Sequence, residues 1–324
     1  MKYCLTIVFL SLCLPVFSQE DPAILARDLT ASLQTEKEKV TAIFRWVTDN
    51  ISYKTNQDNK AIIGPASLKN SAEAAADDSP LKPVSERVAE TVLRRKTAVC
   101  DGYARLFTTL CDYAGIRSEL IVGYARGNAS RPVARFGVNH YWNAVMIDSA
   151  WYLVDATWAS GYMSRGNEFI REYDARYFLT PPETFIRDHY PDDARWTLLP
   201  DSKVPEEFRR SPFRQKSYSK YRITSFFPAT GVIEAFVGDT IRLQVETAAA
   251  EQGRDVCPDL LADTALFSHS SGWVFLRPET PRPAVTNKHN YSYTIASPDV
   301  QWLYLLYNED LVLRYKINVR RKRS

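Results

Sequence analysis

Apolar and polar positions along this chain follow two different periods. Over EKEKVTAIFRWVTDNISY, residues 36–53, Val40, Ile43, Phe44, Val47 and Ile51 recur at the three-and-four spacing that lays one apolar stripe along a helix. The pattern predicts helical structure across residues 20–53 and a second helix from about Val84 to Arg95. Residues 54–82 between them are polar and small, as a surface loop or insertion would be. A third helix follows Cys100, with Tyr103, Phe107, Leu110 and Ala114 on one face and Gly115 at the place where helices stop.

Beyond Gly115 the period shortens. SELIVGYAR, residues 118–126, reads as a strand, and HYWNAVMID and WYLVDATW read as a β-hairpin turning near Ser149 and Ala150. Helices followed by paired strands predict an α+β domain. Residues 171–213 are mixed and aromatic, with prolines that favour short elements. A basic polar stretch, RQKSYSKYR, then leads into several short apolar runs, among them GVIEAFVGDTIRLQVET, YSYTIAS and QWLYLLYN. Their turn signals predict an all-β, Ig-like sandwich over residues 217–324, after a first domain at 19–216.

The N-terminus changes the picture of the compartment. Lys2 precedes an apolar run from about Leu5 to Phe17, too short to span a bilayer as a stable helix. Val16 and Ser18 are small enough for the positions before a cleavage site, so residues 1–18 are expected to be a signal peptide, with export to the periplasm or medium. Lipidation at Cys13 fits less well, because bulky Leu12 stands where a small residue is expected. No transmembrane segment is expected after the leader is removed. The formal charge of +3 over 324 residues points to no nucleic-acid partner. Oligomeric state is not legible.

Removing the leader leaves three cysteines, Cys100, Cys111 and Cys257. The first two lie about 16 Å apart along one helix and cannot bridge each other, so at least one thiol stays free. A free thiol in an exported chain calls for an explanation. Cys100 stands at a helix mouth, where partial positive charge favours a thiolate. Cys111 falls mid-helix, where cysteine is usually a small buried hydrophobe. His140 opens one hairpin strand and Asp155 ends the other, so the turn folds the two together. An aspartate inside an apolar run is costly to bury unless partnered, or else caps the turn at DATW. His189, in RDHYPDD, reads as a structural residue fixing a turn before Pro191. No compact CxxC or HxxxH spacing supports a metal site, and no cofactor is expected.

The blocks VCDGYARLF, NHYWNAVMID and WYLVDATW resemble the three core blocks of the transglutaminase-like superfamily, which has a papain-like fold. YFLTPPETFIRDHYPDDARWTLL resembles the region after the core in kyphoscoliosis-peptidase-like members, where an HxP element precedes a tryptophan. The resemblance covers about residues 25–213. It implies a nucleophile at Cys100, a base at His140 and an orienting carboxylate at Asp155. The expected reaction is acyl transfer from a protein or peptide carboxamide, as a peptidase, amidase or transglutaminase. Trp142 and Trp158 are candidates for the cleft wall. Papain-like enzymes commonly place a glutamine before the cysteine to support the oxyanion. Here none does, and Gln57 and Tyr53 are the available candidates. That departure favours the alternative, a non-catalytic binding or scaffolding protein of the cell envelope.

Overall fold

The computed structural model describes residues 21–54, 82–126, 136–164, 166–199, 204–248, 258–263, 274–276, 287–307 and 310–320. The expected leader with Cys4 and Cys13, the candidate Gln57, and Cys257 lie outside them. The architecture is mixed α+β: a helix and strand core followed by further β-sheets that form a sandwich-like region. No helix among the described residues is long and apolar enough to cross a membrane.

The chain divides into two compact units. One takes residues up to 119 together with 145–150 and 155–178; the other takes 120–144, 151–154 and everything from 179 onward.

The first unit is built on helices. The apolar stripe expected over residues 20–53 is cut into two helices, Pro22–Thr30 and Glu36–Asn50. The break follows from local polar chemistry. Thr35 accepts the Glu38 backbone N–H at 3.2 Å while the Glu38 carboxylate takes the Thr35 N–H at 3.0 Å, a reciprocal cap that starts a new helix. Val84–Arg95 and Cys100–Tyr113 form where the periodicity places them. Gly115, with φ of 74°, follows the second of these in the left-handed region.

The second unit is built on sheets. One has four strands in the order Ala150–Val154, His140–Ile147, Ser118–Ala125, His189–Pro191. The predicted hairpin closes on Asp148 and Ser149, both at positive φ, the geometry of a two-residue turn. The later sheets follow the expected alternation. In Thr240–Thr247, Ile241, Leu243 and Val245 are buried while Thr240 and Arg242 face out. That strand is the middle one of three, between Ile223–Phe227 and Lys288–Thr294. The larger sheet has Asp310–Arg320 and Trp302–Tyr307 at its centre, and the two sheets share a core that includes Leu243, Tyr291, Leu305 and Tyr315.

A second core lies in the same unit. Tyr124, Phe136, Tyr190, Phe208, Phe213 and Trp302 form an aromatic layer. Arg314 is buried beside it, its guanidinium about 5 Å from the ring centres of Tyr190 and Phe213 and its Nη2 donating to the Pro191 carbonyl at 2.9 Å. A buried arginine is tolerated here through faces of π electrons and a backbone acceptor rather than a carboxylate.

Candidate functional site

In the first unit the cysteine helix is set by its neighbours. Lys96 takes a left-handed turn (φ 53°), and Thr97–Ala98 then pairs in parallel with Ser52–Tyr53. Gly102 is required by this close approach: a Cβ there would lie 2.7 Å from the Ala98 Cβ and 3.1 Å from Val92 Cγ2. The Tyr103 hydroxyl, buried among apolar groups, donates to the Ile51 carbonyl at 2.6 Å and ties the helix to the end of Glu36–Asn50. Cys100 is the first helical residue, part-buried and outside any disulfide, and Asp101 beside it pairs with Arg105 at 2.9 Å. Cys111 is fully buried, and burial pushes its thiol well above the usual range, which keeps it an apolar residue. Tyr53 is half-buried; burial first, then the neighbouring Cys100 and Asp155, push its phenol up to about 12, so it stays a neutral donor.

Asp155 is completely buried and begins the short helix Ala156–Ser160. Its Oδ1 accepts the N–H groups of Thr157 at 2.8 Å and Trp158 at 3.0 Å. The capping role weighed for this aspartate is therefore present in full. Trp158 is half-buried and meets Tyr177 edge to face at 5.3 Å.

In the second unit His140 opens its strand and is 6% exposed. Its ring stacks 6.1 Å from Trp142 and lies 5.6 Å from His189. His189 is itself stacked on Phe185 at 4.2 Å, and its Nδ1 meets the Asp188 carboxylate at 2.6 Å. Trp142 is fully buried, with an indole N–H that has no acceptor among the described residues. Gly123 makes room for it: a Cβ there would lie 2.3 Å from Trp142 Cη2.

A ring nitrogen of His140, a carboxylate oxygen of Asp155 and a ring nitrogen of His189 all lie within 4.8 Å of one another. His140 and Asp155 thus come together as expected, but the third member is His189 and not Cys100. Thiol catalysis needs the sulfur within hydrogen-bond reach of the imidazole, about 3 Å. The expected Cys100–His140–Asp155 triad is not assembled, and a cysteine peptidase or acyltransferase reading of the chain does not hold. The physical reason lies in the packing. The imidazole packs against Trp142 and His189, the latter stacked on Phe185, and one oxygen of the carboxylate is engaged in capping. Two histidines and a carboxylate at this separation have the donor types that a transition metal takes. His189, read from sequence as a turn-fixing residue, is the member that spacing could not reveal; only the HxP element pointed to its segment.

The Transglutaminase-like superfamily profile matches residues 23–156, which hold the cysteine helix, the hairpin and Asp155. Residues 23–156 form a transglutaminase-like domain. This domain is related to kyphoscoliosis-peptidase-like proteins: the mouse and human kyphoscoliosis peptidases are each 30% identical to the chain over 217 residues. That stretch is 66% of this chain and 30% of either relative, so the chain spans about a third of their length. A solved structure of a TGase is 20% identical over 52% of this chain and 40% of that one, with a TM-score of 0.28. Within this domain the residues singled out by the resemblance, Cys100, His140 and Asp155, are not all brought into one group.

Proposed function

We propose that the chain is an exported transglutaminase-like binding or scaffolding protein of the cell envelope, which engages a protein or peptide segment without turning it over. The observation that carries this reading is the composition of the buried group, His140, Asp155 and His189 with Cys100 outside it. Thiol catalysis depends on direct proton exchange between the sulfur and a hydrogen-bonded base, and Cys100 is not a member of the group that holds His140. The absence of a glutamine just before Cys100 supports the same reading. The two mammalian relatives are named as peptidases, but they are more than three times as long as the stretch they share with this chain, and their activity is not carried over.

The test is whether Cys100 and His140 act on one another. The rate of Cys100 alkylation by iodoacetamide, read by mass spectrometry at several pH values, is expected to be the same in the wild type and in His140→Ala. Incubation with a fluorescent amine and a glutamine-bearing peptide is expected to give neither incorporation nor hydrolysis. A Cys100-dependent turnover, or an alkylation rate that collapses when His140 is replaced, overturns the reading.

A further inference from the structure

Within the second unit a cavity of about 660 Å³, lined by none of the three residues of the buried group, opens between the segment after Phe208 and the strand Ile223–Phe227. Its volume is in the range of small-molecule and peptide side-chain sites. Arginines dominate its wall: Arg126, Arg210 and Arg214 face Glu206 and Glu207, with Phe226 as an apolar side. One pair is already satisfied. Arg126 holds Glu207 in a two-pronged grip, Nε to Oε1 at 2.8 Å and Nη2 to Oε2 at 2.9 Å. Among the described lining residues the other three charges, Arg210, Arg214 and Glu206, sum to one positive charge.

Arg214 lines this cavity without an ion pair among the described residues. Its backbone is fixed on both sides: its N–H donates to the Phe136 carbonyl at 3.1 Å, and it pairs with Leu313. Its guanidinium lies 5.0 Å from the ring centre of Tyr218 and 5.3 Å from that of Phe226. Its Nε is buried with no hydrogen-bond partner among the described residues. A buried donor left unmatched is costly, and such groups in native proteins call for a reason. Arg214 lines the cavity, and a planar acceptor with two oxygens is the group a guanidinium takes best, as Arg126 and Glu207 demonstrate in the same cavity.

We infer that this cavity takes the carboxylate of an acidic residue in a peptide, with an aromatic neighbour packing on Phe226. A carboxylate fits the single uncompensated charge better than a phosphate dianion does, and the Phe226 wall favours an acid carried on an apolar chain over a free anion. The choice of a peptide rests on the binding reading above, whose own test is turnover at Cys100, so either can fail alone.

Titration calorimetry on the full chain with Ac-Phe-Glu-Phe-NH₂ and its isostere Ac-Phe-Gln-Phe-NH₂ tests the assignment. The glutamate peptide is expected to bind at least tenfold tighter. Arg214→Lys, which keeps the charge and loses the fork, should remove most of that preference while thermal unfolding stays unchanged. Arg210→Gln, at an exposed position, should weaken binding several-fold, and it decides the matter if the Arg214 variant does not fold. Equal binding of the two peptides, indifference to both substitutions, or glutarate or inorganic phosphate binding as tightly as the glutamate peptide would each overturn the inference.

Discussion

Asp155 offers the sharpest test of what its carboxylate does. It is fully buried, and one oxygen accepts two backbone N–H groups, at 2.8 and 3.0 Å. Replacing it by alanine removes a helix cap, worth about 1 kcal/mol. The Thr157 N–H is buried and then has no acceptor, adding about 1–3 kcal/mol, whereas the Trp158 N–H is only part-buried and can turn to water. The expected cost of Asp155→Ala is therefore about 2–4 kcal/mol. Asparagine keeps the accepting oxygen and should cost less than about 1 kcal/mol if capping is the main duty. Urea unfolding of the two variants, followed by tryptophan fluorescence, gives the comparison. Amide exchange over residues 156–160 localises it: at 1.4 kcal/mol per factor of ten, the alanine variant should exchange roughly 30-fold faster or more. Equal stability of the alanine and asparagine variants would refute the capping account. A large cost for asparagine as well would mean that the negative charge, held beside two histidines, is what the fold uses.

Three further outcomes are expected. Gly123→Ala places a methyl 2.3 Å from Trp142 Cη2 and 2.4 Å from the Tyr190 carbonyl oxygen; backbone cannot yield there, so a loss of about 1–3 kcal/mol and a weakened near-ultraviolet circular dichroism signal should follow. Burial alone would raise the Glu207 carboxyl, but the Arg126 guanidinium outweighs it and holds the group below its ordinary 4.5. A depressed acid stabilises fully above that ordinary value and loses its contribution as pH falls through the depressed one. Arg126→Met should therefore flatten the acid limb of the stability profile by about 0.5–1 kcal/mol, since the pair is partly exposed, and an unchanged limb would exclude the pair as its source. Cys111, buried with its thiol pushed up, should resist iodoacetamide in the native chain and react only once urea unfolds it, while part-buried Cys100 is labelled natively; native labelling of Cys111 would contradict its burial.

Local periodicity carried much of the fold. The stripe Val40 to Ile51, the stop at Gly115 and the paired apolar runs around Asp148 each state their element directly, because burial on one face leaves a 3.6- or 2-residue period. The break before Glu36 was written less visibly, in the Thr35–Glu38 exchange of hydrogen bonds, and an apolar pattern does not report it. The candidate site was legible as residue types and order. His140 and Asp155 met because a two-residue turn joins their strands. What the chain could not announce was the third partner. His189 reaches the group from a strand that pairs with Gly123, Tyr124 and Ala125, and register between distant strands is set by packing rather than spacing. The seat of Trp142 shows the same limit, since it depends on a glycine nineteen positions earlier leaving room.

The aromatic layer of the second unit joins residues made at very different moments. Tyr124 and Phe136 leave the ribosome early, while Trp302 emerges about 180 residues after Tyr124. At roughly 5–20 residues per second, that is an interval of roughly 10–40 s in which the early aromatics have no Trp302 to close on and Arg314 has not yet been added. The helical unit has no such wait after residue 178, because everything it packs has already been synthesised. The chain is thus expected to acquire its structure in two instalments, with the sandwich sheets and the aromatic layer kept open until the last strands are made. A ribosome stalled near residue 290 should hold a nascent chain whose Tyr190 segment is cut readily by protease, while the Cys100–Tyr113 helix is already protected.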